Sequence, residues 1–328
     1  MKKVKAYSFA RYGGPEVLIP VEIPVPELLP DEVLIRVAAI GVNPSDVKNL
    51  SGHFGTSLPR IPGRDYAGII VAGAGREGEE VWGSGPGFGV DRDGAFVEYL
   101  RLPSSWVVKK PSSLSMEAAA AVGVPYLTAW SALVVAGNLA PEETVLVVGA
   151  AGAVGRAAIE IARWRRARVI AASRSASVLP GTDGLVAAGD LDWPRRVLAL
   201  AGGRGVDLAL DTIGGAFFEP SLKTLRPGGR QVAIASNPPD VSFSLVDFYH
   251  GAKRLIGVDS MALRGEEIAG MMEELRRGFE QGWLKAPSVR IWPFASAREA
   301  LSTAREEPGQ KQVLLFDLPM SENTPLRR

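Results

Sequence analysis

The chain has 328 residues, close to half of them hydrophobic, which is long for one domain and enough for two sizeable cores. Its 37 Lys and Arg almost cancel its 36 Asp and Glu, so no global field points to nucleic acid or to an anionic membrane. The absence of cysteine removes disulfides, thiolate nucleophiles and cysteine-ligated zinc together.

In chain order, residues 1 to about 120 read as mostly β. The basic start, Met1-Lys-Lys-Val-Lys-Ala-Tyr7, has no apolar run behind it and is not a signal peptide. Prolines at 20, 24, 26 and 30 forbid a central strand and predict an edge or an extended arm. Strands are predicted over 32–39, 66–71 and 96–100, with tight turns where glycines crowd 73–94. A helix is predicted over 44–51, with Asn43 available as its cap and Pro44 at its first position. Residues 118–137 carry no charge, but Pro125, small residues and the hydroxyls of Tyr126, Thr128 and Ser131 argue for a buried helix boundary and against a membrane span.

From about 122 to 265 strand and helix patterns alternate. Short apolar strands are predicted at 145–148, 169–172, 185–187, 206–210, 231–235 and 255–258, the number a doubly wound parallel sheet needs. The first runs into Gly149, Gly152 and Gly155. A helix follows, with Val154, Ala157, Ala158, Ile161 and Ala162 on one face, and Arg156, Glu160 and Arg163 spaced to pair on the other. Strand, glycine turn and helix N-terminus form a phosphate cradle. Here the glycines are three apart, where the standard dinucleotide string is G-x-G-x-x-G. The second strand ends in Ala172-Ser173-Arg174-Ser175. It has no carboxylate for ribose hydroxyls, but a guanidinium and two hydroxyls suit the 2′-phosphate of NADPH. Residues 225–230 read as a helix end and turn. Beyond 265, helices are predicted at 266–281 and 296–306, a strand at 311–316, and a frayed tail over the last ten residues. The reading is therefore an α/β chain. A dinucleotide domain, 122–265, is inserted between two pieces of a β-rich domain, 1–121 and 266–328, with substrate expected in the cleft between domains.

Four strings carry a family resemblance: Gly41-Val-Asn43-Pro44-Ser-Asp46, Pro62-Gly63-Arg64-Asp65-Tyr-Ala-Gly68, Thr128-Ala129-Trp130 and Asp211-Thr-Ile213-Gly214. Over about residues 3–318 the chain resembles the zinc-independent quinone oxidoreductases, the zeta-crystallin-like branch of the medium-chain dehydrogenase/reductase superfamily. The resemblance implies a GroES-like catalytic domain around a Rossmann domain. It also implies a cytoplasmic homodimer joined along the last strand of the cofactor sheet, near 255–260. The implied activity is NADPH-dependent reduction of quinones or α,β-unsaturated carbonyls by direct hydride transfer. Asn43, Lys48 and Thr128 are the implied catalytic residues. Gly149, Gly152, Ala153, Val154, Gly155, Ser173, Arg174, Ser175, Asp211 and Ile213 are the cofactor-binding ones. Lys48 stands where many quinone oxidoreductases carry Tyr, near the nicotinamide ribose.

In the zinc-dependent alcohol dehydrogenases a Cys stands at the position of Asn43 and a His at that of Arg64. With His53 and His250 as the only histidines, no three-ligand N/S site is expected, and hence no metal. Enoyl-thioester reduction is the alternative activity, and an NADPH-binding protein with little turnover is the alternative outside enzymes. No basic, aromatic-rich patch points to nucleic acid.

Overall fold

The computed structural model describes residues 3–174, 178–307 and 309–316. The chain divides into two compact units, Met1–Val124 with Met261–Arg328, and Pro125–Ser260. In the first unit β1 (Lys3–Ser8) and β2 (Ile19–Pro24) form an antiparallel pair, with the prolines in β2, a strand whose ladder pairing is with β1. Then follow β3 (Glu32–Val42), α1 (Pro44–Leu50), β4 (Asp65–Ala72), β5 (Glu80–Ser84), β6 (Tyr99–Pro103), β7 (Val108–Lys109) and α2 (Met116–Ala120). The strand expected at 96–100 starts later. Phe96 and Val97 make single links to β1, and pairing with β3 begins at Tyr99.

Helix α3 (Gly123–Trp130) runs across the division between the units and continues as a π turn, Ser131–Ala136. No helix among the described residues is long and apolar enough to cross a membrane. The second unit holds β8 (Thr144–Val148), α4 (Ala153–Trp164), β9 (Arg168–Ser173), β10 (Gly184–Ala187), α5 (Trp193–Leu200), β11 (Val206–Asp211), α6 (Phe218–Lys223), β12 (Leu225–Ala233), α7 (Leu245–His250) and β13 (Arg254–Gly257). Its sheet is parallel throughout, in the order β10-β9-β8-β11-β12-β13, so the strand order reverses beside β8. Residues 225–230 are part of β12, contrary to the turn expected there. Val206 pairs with Leu225 and Leu208 with Arg230, so Pro227-Gly228-Gly229 bulges out of a strand whose pairing continues on both sides.

The chain returns to the first unit through α8 (Gly265–Glu280), β14 (Val289–Pro293), α9 (Ala297–Glu306) and β15 (Lys311–Leu315). The seven-stranded sheet runs β14-β15-β3-β4-β5-β7, with β6 on the far end of β3. Its core gathers Ile35, Ile40, Tyr66, Phe96 and Leu314 with the apolar face of α9. Antiparallel register sets Gln312 opposite Val42, and Gly41 opposite Asp65, which brings the first residue of β15 and the start of β4 to the end of β3.

Candidate active site

The glycine turn after β8 is built for two separate reasons. Gly149 has φ +78, and a Cβ there would lie 2.2 Å from Thr212 Oγ1. Gly155 lies where α4 crosses the strand end, and its Cβ would meet the Gly149 carbonyl oxygen at 2.4 Å and Ala150 Cα at 2.6 Å. The fold itself therefore needs both glycines. Gly152 differs. It caps α4 with φ −74 and ψ 169, which any residue adopts, and its Cβ would touch only the Gly149 oxygen, at 3.4 Å. The space beside Gly152 is open, and it fronts the first turn of α4 at Ala153 and Val154, where helical N–H groups lack intrahelical acceptors.

Arg156 Nε donates to the Ala151 carbonyl, Arg163 pairs with Asp183, and Glu160 accepts from the Tyr126 hydroxyl at 2.9 Å. Burial and the Glu160 charge raise the Tyr126 pKa well above that of a free phenol.

Ser173 is the buried last residue of β9, and Arg174 after it is exposed, with no ion pair among the described residues. Ser175 lies outside the described residues. At the end of β11, Asp211 is fully buried. Its Oδ1 accepts the N–H groups of Ile213 (3.0 Å) and Gly214 (2.9 Å), bracing the loop that carries Ile213 against Gly149. Burial raises its pKa against the pull of those two N–H groups. Asp211 is thus a loop brace first, a role that the motif did not disclose. Thr128, buried in α3, donates its hydroxyl to Ser260 Oγ at 3.0 Å. The strand ends of β8, β9 and β11, where these cofactor candidates gather, flank the reversal in strand order, the usual ligand crevice of such sheets.

A second polar centre lies in the first unit, at the junction of β3, β4 and β15. Asn43 caps α1, and the Asp46 carboxylate accepts its backbone N–H at 2.8 Å. Its side-chain amide turns away from the helix. Nδ2 donates to Asp65 Oδ2 at 2.9 Å, while Oδ1 accepts from Lys311 Nζ. Lys311 also lies 3.2 Å from Asp65 Oδ2, and Val124 N–H donates to Asp65 Oδ1 at 2.9 Å. Asp65 is 0% and Lys311 7% exposed, so this is a buried ion pair with its acceptors satisfied. Burial pushes the Asp46 carboxyl up to about 6, assisted by the Asp65 charge and opposed by the Asn43 N–H, Arg64 and Lys311. Lys48 projects from α1 as an exposed side chain. Lys311 was missed in the sequence because it lies 268 positions from Asn43, at the head of an ordinary strand pattern, where no local signal marks it.

Residues 29–112 match the alcohol dehydrogenase GroES-like domain, and residues 153–277 match the family described as zinc-binding dehydrogenase. A zinc-type alcohol dehydrogenase-like protein of Schizosaccharomyces pombe is 35% identical over 291 residues, 87% of each chain. Human quinone oxidoreductase is 29% identical over 312 residues, 91% of this chain and 93% of its own. The chain belongs to the zinc-independent quinone oxidoreductase branch of the medium-chain dehydrogenase/reductase superfamily. Among solved structures, an NAD-dependent alcohol dehydrogenase superposes with a TM-score of 0.84 at 29% identity, covering 95% of this chain and 99% of that one. The protein is therefore an oxidoreductase, and its family implies a nicotinamide cofactor. The open cradle at Gly152 fits the pyrophosphate of such a cofactor. Among the described residues, no group of three or more His, Cys, Asp and Glu side chains is placed to hold a metal ion.

Proposed function

We propose that this oxidoreductase is a zinc-independent, NADPH-dependent reductase of quinones or α,β-unsaturated carbonyl compounds. The observation that carries the cofactor half is Gly152, a glycine that the fold does not itself require, set between two that it does. A pyrophosphate lying against its Cα would take N–H groups from the start of α4, at Ala153 and Val154. Preference for NADPH rests on Arg174, an exposed guanidinium after β9 with no ion pair among the described residues, where a ribose-binding carboxylate would select NAD. The acceptor class rests on the relatives, which include a quinone oxidoreductase over nearly the whole chain.

In this reading the bound nicotinamide supplies the hydride, and the protein supplies position and charge. Lys48 would bond ribose hydroxyls and steady negative charge at the acceptor oxygen. Thr128 would hold the carboxamide end. Asn43, its amide committed to Asp65 and Lys311, would set the start of α1 and so the place of Lys48. With no cysteine and two histidines, one in each unit, a cysteine- or histidine-rich zinc site has no ligand set to draw on.

Steady-state assays with quinones, enals, enones and enoyl thioesters, each with NADPH and NADH in parallel, test the proposal. Turnover of quinones or conjugated carbonyls with NADPH favoured is the expected result. Preference for enoyl thioesters moves the substrate assignment. NADPH binding without turnover of any acceptor refutes the enzymatic reading.

A further inference from the structure

Among the described residues, the charged groups around Asn43 have partners except one. The Asp65 oxygens are taken by Val124 N–H on one side and by Asn43 and Lys311 on the other. Asp46 accepts the Asn43 backbone N–H. Arg64, the residue immediately before β4, is only 8% exposed, yet its guanidinium makes no hydrogen bond, ion pair or ring contact among the described residues. Asp46 lies within electrostatic reach of Arg64, which lowers its pKa, but forms no ion pair with it. Ser45, beside Asp46 in the chain, also has a buried hydroxyl without a partner.

A guanidinium stays charged at any working pH and offers five N–H donors in a planar fork. With the side chain largely buried and no acceptor from the protein, it keeps only the hydration that its remaining accessible edge allows, so a ligand oxygen reaching that edge would stabilise it. The acids that would have neutralised it are already committed, so the complement has to come from outside the chain. An anionic oxygen meets that need, best of all a carboxylate or the oxygen of a conjugated carbonyl, which matches the fork in its plane.

We propose that Arg64 is a substrate-anchoring residue that holds an anionic oxygen of the hydride acceptor. That oxygen is either a carboxylate already present on the substrate or a carbonyl oxygen that gains charge during reduction. The inference deepens the reductase reading and rests on it for the word acceptor. The anion site itself rests on Arg64 alone.

The test compares the wild-type protein with Arg64→Met and Arg64→Lys, using benzoate as an unreactive planar carboxylate. Benzoate affinity is measured by calorimetry with and without saturating NADPH, and kcat and KM are measured on an acceptor that turns over. A standing carboxylate on the substrate predicts that Arg64→Met weakens benzoate and raises KM about tenfold or more, the size of one charge-assisted hydrogen bond, with partial retention in Arg64→Lys. A charge that develops during reduction predicts unchanged benzoate binding and KM, with kcat lowered by a similar factor. In both cases NADPH affinity and the melting temperature should hold. A folded Arg64→Met with wild-type benzoate affinity, kcat and KM overturns the proposal. If Arg64→Met fails to fold, Arg64→Gln, which keeps a planar amide, takes its place under the same criteria. Failure of both to fold makes Arg64 a structural residue and also overturns the inference. The calorimetric arm needs no turnover, so a protein that reduces nothing would sink the reductase reading while leaving the Arg64 anion site to be judged separately.

Discussion

The three glycines after β8 should separate under mutation into one that serves the ligand and two that serve the fold. In Gly152→Val the new Cβ meets only the Gly149 oxygen, at an ordinary 3.4 Å, and the backbone angles are open to any residue. The folding cost should stay within about 1 kcal/mol, that of a poor helix cap. The side chain would occupy the space where a pyrophosphate has to approach. Loss of one or two charge-assisted N–H contacts, roughly 1.5–3 kcal/mol each, predicts at least a 10-fold and up to about a 10⁴-fold loss of NADPH affinity. In Gly155→Ala the added carbon would sit 2.4 Å from the Gly149 oxygen and 2.6 Å from Ala150 Cα, both backbone atoms that cannot swing aside. That overpacking should cost about 1–3 kcal/mol of stability, with any loss of binding following from it. Denaturant midpoints and NADPH fluorescence titrations on both variants supply the comparison. Wild-type NADPH affinity in a folded Gly152→Val protein would show that the middle glycine serves no ligand, and the cradle argument would fail with it.

Removing Arg174 should raise the NADPH KM roughly tenfold, leave kcat nearly unchanged and barely move NADH, as expected for one exposed charge-assisted contact to a 2′-phosphate; equal weakening of both cofactors would mean a disturbed fold. Purified protein should hold no stoichiometric zinc, and chelator should leave activity unchanged; one tightly held zinc per chain by elemental analysis would contradict the ligand count. β13 pairs with β12 on one side, and Leu255 on it is 36% exposed, so light scattering should report a homodimer that Leu255→Lys weakens. Burial raises the folded pKa of Asp46 from 3.8 to about 6, so its contribution to stability is fully present below about pH 4 and is lost as pH rises through 6. Asp46→Asn should therefore gain on the wild type between pH 4 and pH 7, by about 1–3 kcal/mol at 1.36 kcal/mol per pKa unit, and parallel stability–pH profiles would show that Asp46 is not the group responsible.

Much of the architecture was legible in the chain because it is written in local terms. The apolar run of β8, the helical spacing of α4 and the proline-studded β2 each state their element within a dozen residues, and all three form where they were expected. Sequence also placed Gly149, Gly152 and Gly155 together in one turn. Only the tertiary structure distinguishes them, because a clash with Thr212 or Ala150 is a tertiary fact. The Pro-Gly-Gly of 227–229 reads locally as a turn, but it lies within β12 as a bulge. Pairing with β11 resumes beyond it, and a neighbouring strand outweighs local propensity. Glu160 likewise accepts the Tyr126 hydroxyl, a bond that no spacing rule on α4 foretells.

The polar centre at the end of β3 belongs wholly to tertiary structure. Asp65 and Lys311 lie 246 positions apart, and they meet because β15 and β4 flank the same strand in a particular register. A lysine at the head of a strand and an aspartate after an arginine each read locally as ordinary polar residues. Their burial gives them meaning. As water is withdrawn, a charge gains from a partner within the fold, and Arg64, without one among the described residues, becomes visible only when its neighbours' bonds have been counted.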